Sequence, residues 1–317
     1  MTRARAAGLL LGFAVDRALG DPRRGHPVAG FGRVAGRLET LGWADSRGRG
    51  AAYTLLLVGS VTGLGALAER RTRDVAGASG EVALVALATW AVLGGRSLDR
   101  EAAAVQRLLA GDDLPAARRR LTHLVGRRTD DLSADDVARA VVESVAENTS
   151  DAVVAPLVWG ALAGVPGLVG YRAANTLDAM VGHRSPRHER FGWASARLDD
   201  GLNLPGARLS ALLAAAAAPL VDGAPRDALR AWRRDAGAHP SPNAGPVEAA
   251  FAGALGVRLG GRTVYGAPGA ERVEDRPVLG DGRPVAAGDV ARARRLAAYV
   301  GTGAVLVAAA TALSVRR

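Results

Sequence analysis

ESVAENTSDAVVAPLVWGALAGVPGLVGYRAANTLDAMVGHRSPRHERFGWASARLDDGLNLPGAR, residues 143–208, decides how the rest of this chain reads. An acid-rich polar cluster runs directly into an uncharged stretch at 152–171. That stretch opens onto a second polar cluster carrying Arg172, Asn175, Asp178, Arg184, Asp199, Asp200 and Asn203. Polar side chains beside lipid-compatible sequence are unfavourable unless they face water, a ligand or one another. Crowded at both ends of one apolar stretch, they point to a polar site held by a membrane-embedded scaffold.

Working outward, residues 51–68 and 297–315 are also long and uncharged enough to span a bilayer. Residues 6–15, 82–95 and 209–221 are shorter and suit buried, tilted or re-entrant segments. The apolar run at 6–15 ends at Asp16-Arg17 without a small-residue processing site, so an uncleaved anchor is expected there rather than a signal peptide. The expected fold class is all-α: a multi-pass helical protein of the cell membrane, one integral-membrane domain over 1–317. Its sizeable polar loop regions are 96–151, 172–208 and 222–296. If 152–171 crossed the membrane outright, its two polar clusters would lie on opposite sides. Pro156 and the run Gly164-Val165-Pro166-Gly167 suggest instead a broken or re-entrant segment, which is tolerated at membrane depth where it lines a protein-enclosed cavity. Ser133 with Asp136 predicts a capped helix start, with Val137, Val141, Val142 and Val145 on its apolar face. Residues 256–290 are rich in glycine, proline and turn signals and predict irregular structure or short strands.

Composition narrows the chemistry. The chain has 317 residues, no cysteine, and 41 basic residues that are all arginine. Disulfides and thiolate metal sites are thereby excluded, as are a lysine-bearing phosphate loop and Schiff-base intermediates. Any phosphate must be held by arginine, backbone N–H groups or a metal ion. The net charge of +10 suits anionic lipid headgroups better than nucleic acid. The arginines alternate with acids, and aromatics, at 4%, are too few for a stacking platform. The histidines lack zinc-ligand spacing, and no nucleophile elbow is present.

Glu143, Glu147 and Asp151 follow one another at four-residue steps, which on an α-helix places them on one face. Grouped hard oxygens suit Mg²⁺, which takes one or two carboxylates together with substrate phosphates. The same spacing also suits a solvated helix face with an Arg139–Glu143 pair. Arg172, Arg184, Arg187, Arg190, Arg197 and Arg208 offer bidentate donors, or pair with neighbouring acids and headgroups. His26, in the turn Gly25-His26-Pro27, is a candidate proton carrier or a structural hydrogen-bonder. HPSPNAGP at 239–246, with Asn243, is a second rigid polar loop. Gly260-Gly261 either lets a backbone approach a phosphate or marks a turn.

Several long motifs then occur in one order: D-R-x-L-G-D-P and H-P-V at 16–28, ESVAENTSDAVVAPL at 143–157, YRAANTLDAMVGHR at 171–184, FGWASARLDDGLNLPGARL at 191–209, and HPSPNAGPVEAAFAGALGVRLGG at 239–261. Through them the chain closely resembles the cobinamide-phosphate synthases of cobalamin biosynthesis, which are integral membrane proteins. The likeness covers nearly the whole length; loops at 40–50, 70–80 and 262–290 carry no recognisable pattern. The resemblance implies a late amide ligation of the corrinoid. A carboxylate of adenosylcobyric acid is joined to aminopropanol phosphate, or free aminopropanol, with ATP as co-substrate and Mg²⁺ as cofactor. On that implication Glu143, Glu147 and Asp151 are the metal candidates. Glu147, Asp178, Asp199 and His26 are the catalytic candidates. Arg172, Asn175, Arg184, Arg197, Asp200, Asn203 and Asn243 are the candidates for holding ATP. Other corrinoid-pathway enzymes are further candidate partners, and nucleic acid is not. A non-catalytic membrane scaffold or carrier for those enzymes is the competing reading, but it has no evident use for the acidic cluster. A transporter fits the broken segments but neither the large polar loops nor the absence of an inverted repeat.

Overall fold

The computed structural model describes residues 2–21, 25–183, 185–265 and 272–314. In chain order its helices begin with α1 (Thr2–Leu19), α2 (Pro27–Gly42), α3 (Arg47–Val92), α4 (Gly95–Ala110), α5 (Leu114–Leu121) and α6 (Ala134–Thr149). A π-helical turn (Ser150–Val154) leads into α7 (Ala155–Ala163), followed by α8 (Val165–Leu177), α9 (Trp193–Ala217), α10 (Pro225–Asp235) and α11 (Ala244–Leu255). Strands β1 (Val257–Tyr265), β2 (Arg272–Leu279) and β3 (Arg283–Pro284) precede the last helix, α12 (Asp289–Ser314). The protein is therefore predominantly helical with one small sheet, in the stretch where irregular structure or short strands were expected. The contacts divide the chain into two compact units, residues 1–96, 151–206 and 304–317, and residues 97–150 and 207–303.

Three helical stretches are long and apolar enough to cross a membrane: Arg47–Ala110, Trp193–Val221 and Asp289–Ser314. The first and third contain the expected spans 51–68 and 297–315, and the second contains the shorter 209–221. The uninterrupted crossing by 152–171 is not formed. Gly164 adopts a φ of 74° and ψ of −146° and ends α7 after nine residues. The chain then folds back, so that Gly160 lies against Leu168 and Gly167 against the Trp159 carbonyl.

Ion pairs inside the first unit explain how a break is tolerated in so apolar a stretch. Arg5, on α1, donates from Nη1 to the carbonyls of Ala161 and Leu162 at 3.2 and 3.3 Å. Glu69 accepts from the Val165 N–H at 3.2 Å, and the two side chains pair at 3.4 Å. One residue thus satisfies the open C-terminus of α7 and the other the open N-terminus of α8, each with the charge sign the helix dipole favours. Helix α3 turns sharply at Gly77, where φ is 58° and ψ −148°. Arg73 consequently reaches Glu81 at 3.3 Å, eight residues on, a separation that a straight helix would stretch to about 12 Å. Helix α1 packs closely on α3 because Gly8 and Gly12, one turn apart, face Val85 and Thr89 with no room for a methyl group, a small-residue seam of the kind membrane helices use.

In the second unit, Ser133 and Asp136 form the expected capping box at the start of α6. Val137, Val141, Val142 and Val145 are all buried, and every residue of α11 is too. At about 1.5 kcal/mol or more per buried valine, this face fixes the rotation of α6 and so decides where Glu143 and Glu147 point. The sheet has the order β2-β1-β3, antiparallel between β1 and β2 and parallel between β1 and β3. A bulge between Leu259 and Gly261 interrupts the β1–β2 register.

Candidate functional site

The α7–α8 hairpin brings the two polar clusters of the opening segment together within the first unit. Asn203, on α9, donates to the Asp151 carboxylate that precedes α7. Also on α9, Asp199 accepts from Asn175 Nδ2 at 3.3 Å. Asn175 in turn accepts from Arg172 Nη1 at 3.3 Å. Trp159 ties the hairpin to α9 by donating to the Leu202 carbonyl at 2.7 Å. Tyr171 lies within electrostatic reach of Asp151, Asp199 and Asp178, and Arg172 within reach of Asp21, Asp151 and Asp199. The Tyr171 hydroxyl and Arg172 Nε are buried and have no hydrogen-bond partner among the described residues. Buried polar groups are rarely left so. Arg172 is the one charged side chain lining an otherwise apolar cavity of about 210 Å³ walled by Pro27, Val28, Phe31, Val169 and Thr176.

Of the predicted residues, Arg172, Asn175 and Asp199 form one hydrogen-bonded run and Asn203 and Asp151 a separate pair, with both carboxylates in electrostatic reach of Arg172. Asp178 opens the π-helical turn Asp178–Gly182 and packs on Gly182, a position with no space for a Cβ. His26 caps α2, its Nδ1 accepting from the Val28 N–H at 3.2 Å, and its Nε2 lies 3.9 Å from Asp21. Arg197 is exposed and pairs loosely with Asp200 at 3.8 Å. Arg184 lies outside the described residues. Asn243 belongs to the second unit, where it accepts from Arg208 at 2.9 Å.

The second unit holds a separate charged cluster. Glu143 is buried and fully engaged: it accepts from Arg127, from Arg139 at 3.3 Å and from the Gly260 N–H at 2.8 Å. The Arg139–Glu143 pair read from spacing is present, but buried rather than solvated. Gly260 and Gly261 have φ of 85° and 92° and form the bulge, so this backbone N–H serves a carboxylate of the protein itself. The α-helical step from Glu143 to Glu147 holds, whereas the helix is π from Ser150, and Asp151 belongs to the other unit. Among the described residues no three His, Asp or Glu side chains gather closely enough to hold a metal ion. Three-carboxylate coordination therefore does not fit, because Glu143 is consumed by arginines.

Glu147 has no hydrogen bond or ion pair among the described residues. Burial pushes its carboxyl upward, with Glu143 adding to the shift while Arg276 and Arg127 oppose it. Glu248, on α11, is 1% exposed, and burial raises it further, helped by Glu143 and Glu147. His239 is pushed down chiefly by burial, and its Nε2 lies 3.9 Å from Glu248 Oε1. Sequence reasoning did not single out Glu248, Arg127, Arg276 or Tyr171. For Glu248 the signal was present, a lone acid in the uncharged run from 244 to 257. A charge isolated in apolar sequence marks function by default in a membrane protein.

Fold and sites together define a helical protein equipped for a membrane, with a polar network threaded between broken helices. The family model described as CobD/Cbib protein matches residues 9–297, and the chain belongs to that family. It is 53% identical over 306 residues to "Cobalamin biosynthesis protein CobD" of Mycobacterium tuberculosis strain H37Rv, covering 96% of this chain and 95% of that protein. It is 44% identical over 288 residues to the protein of the same name from Rhodobacter capsulatus, with 88% of each covered. With that of Stutzerimonas stutzeri it is 46% identical over 283 residues, covering 84% of this chain and 85% of the relative. No solved structure matches.

Proposed function

We propose that this chain acts in cobalamin biosynthesis as a membrane-embedded ligase, coupling aminopropanol phosphate to a carboxylate of adenosylcobyric acid at the expense of ATP. The relatives' shared name supports the pathway. The single observation that supports a catalyst over a scaffold is the grouping of Asp151, Arg172, Asn175, Asp199 and Asn203, drawn from three separate sequence stretches: Arg172, Asn175 and Asp199 are hydrogen-bonded in a run, Asn203 to Asp151, and both carboxylates lie in electrostatic reach of Arg172. Such convergence orders polar groups at a cost that an inert scaffold need not bear.

A carboxylate is a poor acyl donor. Activation attaches the γ-phosphoryl group of ATP to a carboxylate oxygen, giving an acyl phosphate and ADP. The amine nitrogen then bonds to the acyl carbon as inorganic phosphate leaves. Catalysis of such a step is mostly positioning and stabilisation of phosphoryl charge. With no lysine in the chain, Arg172 supplies the charge within the network; Asn175, which accepts from it, orients it, and Asn203 orients Asp151. Asp199 and Asp178 are the acceptors for the proton the amine must lose. Magnesium would enter as the companion of ATP, carried by its phosphates, and would add positive charge at the transferred phosphoryl group.

Membranes containing the chain, supplied with adenosylcobyric acid, aminopropanol phosphate and Mg-ATP, should yield the coupled amide by mass analysis, and none without ATP. Absence of product, or product formed without ATP, would overturn the ligase reading.

A further inference from the structure

Helix α2 turns outward a face whose charges have no partner among the described residues. Arg33, Arg37 and Leu41 follow at four-residue steps and so run along one side of the helix, with Val34 beside them. All four are exposed, Val34 by 50% and Leu41 by 83%. Neither arginine makes a hydrogen bond or ion pair among the described residues. The acids nearest to them in sequence are engaged elsewhere. Glu39 accepts from Arg187 Nε and His188 Nε2, each at 3.0 Å, and Asp45 pairs with Arg190 at 3.4 Å.

The rotation of α2 is fixed from its other side. Ala35 is fully buried, and Phe31 and Leu38 pack against the cluster of Tyr53, Leu57, Leu177, Val181 and Phe191. The Tyr53 hydroxyl donates to the Ala35 carbonyl at 3.0 Å. The helix therefore cannot roll to bring its arginines inward. Trp43 closes α2 and is 37% exposed. Its Nε1 donates to the Arg187 carbonyl at 3.0 Å, and the Arg187 guanidinium lies 4.8 Å over its ring. Arg47, just beyond, opens the first stretch long and apolar enough to cross a membrane.

We propose that the outer face of α2 lies in the headgroup layer of the membrane, where Arg33 and Arg37 bind the phosphates of anionic lipids. Neither water nor hydrocarbon suits this face as a whole. Water would leave Val34 and Leu41 wet, and hydrocarbon would hold two guanidinium groups without a counter-charge. The boundary serves both, because the aliphatic side chains dip toward the acyl chains while the arginines reach the phosphates. At 16 residues α2 is about 24 Å long, short of the hydrocarbon thickness, so it lies on the membrane rather than across it. A half-exposed tryptophan with its indole N–H satisfied is the residue type that marks this layer. The opposite face of α2, through Pro27, Val28 and Phe31, walls the cavity beside Arg172. The test below therefore reads lipid contact and not turnover, and it stands whether or not the ligase reading does.

The chain has no cysteine of its own, so a single fluorophore can be attached at Thr40→Cys, on the exposed side of α2. In vesicles of phosphatidylcholine and phosphatidylglycerol, lipids carrying a nitroxide at the headgroup should quench it strongly. Lipids carrying the nitroxide at the end of the acyl chain should quench it weakly. Native mass spectrometry of the unlabelled full chain, released from the same mixture, should show phosphatidylglycerol retained over phosphatidylcholine. Arg33→Gln combined with Arg37→Gln should lower that preference on the order of tenfold, whereas the corresponding pair of lysine substitutions keeps most of it. Unaltered preference in the glutamine pair, with a melting curve matching wild type, would overturn the proposal. So would absence of quenching by either lipid, or strongest quenching from the acyl-chain end. Loss of the preference on adding inorganic phosphate would overturn it by making the face a soluble-phosphate site. Cross-linking of two chains through Thr40→Cys in place of lipid quenching would overturn it by making the face an interface between copies.

Discussion

At the scale of the residue, what matters is whether each buried charge has been answered. Glu143 has been answered three times over. Glu143→Gln removes the counter-charge from buried Arg127, which is 7% exposed at its side chain, and should lower stability by about 3 kcal/mol, measured by thermal unfolding in detergent. Arg172 keeps an unpartnered Nε toward the network. Arg172→Leu should reduce ligation on the order of a hundredfold while the unfolding curve keeps its shape. Normal turnover would remove Arg172 from the reaction. Glu248 Oε1 has no hydrogen bond among the described residues, and His239 Nε2 stands off from it at 3.9 Å. Burial lifts its carboxyl above the ordinary glutamate value of 4.5, so in a window above that value the folded chain keeps a proton that the unfolded chain has released. Stability is full below 4.5 and falls as pH rises through the folded-state value. Unfolding midpoints between about pH 5 and pH 8 should therefore decline in wild type and decline less in Glu248→Gln.

At the scale of the element, the break between α7 and α8 is the decisive feature. Pro156 and the Gly164–Gly167 run made it legible in the sequence. The ion pair that seals it was not legible, because Arg5, Glu69 and Gly164 are far apart along the chain and meet only when α1, α3 and the hairpin pack. A methyl group at Gly164 would meet the Glu69 carboxylate at 2.6 Å and would have to adopt φ of 74°. Gly164→Ala should thus cost more than about 1 kcal/mol, seen as a lowered unfolding midpoint. An unchanged midpoint would mean that the hairpin turn is not held as described. In the same way, the four-residue spacing of Glu143 and Glu147 gave one helix face, yet Glu143 on that face is buried and Glu147 half-buried. Periodicity reports direction around the axis and says nothing of what is packed there.

At the scale of the whole molecule, the hairpin bears on membrane topology. If α7 and α8 return to the side from which they enter, positions 151 and 176 open on the same compartment. Single cysteines introduced there, in a chain that has none of its own, should react with an impermeant maleimide from one and the same face of sealed vesicles. Labelling from opposite faces would mean a full crossing. The apolar residues still exposed, among them Leu55, Leu56, Leu64 and Leu67 on α3 and Leu306 on α12, are what a lipid-facing surface requires.

By itself the sequence determined the helical, membrane-suited class, the cap of α6, the family, and most members of the network around Arg172. These rest on local periodicity, hydropathy and contiguous motifs, all carried by neighbours in the chain. Tertiary structure alone decided that Asp151 and Asn203 would meet, that Glu143 would be neutralised by Arg127, and that His239 would come to within 3.9 Å of Glu248. Such pairings join residues on different elements, from nine to 52 positions apart. Their energy depends on burial and on which partner arrives first within hydrogen-bond reach, and neither quantity is written in the local order of the residues.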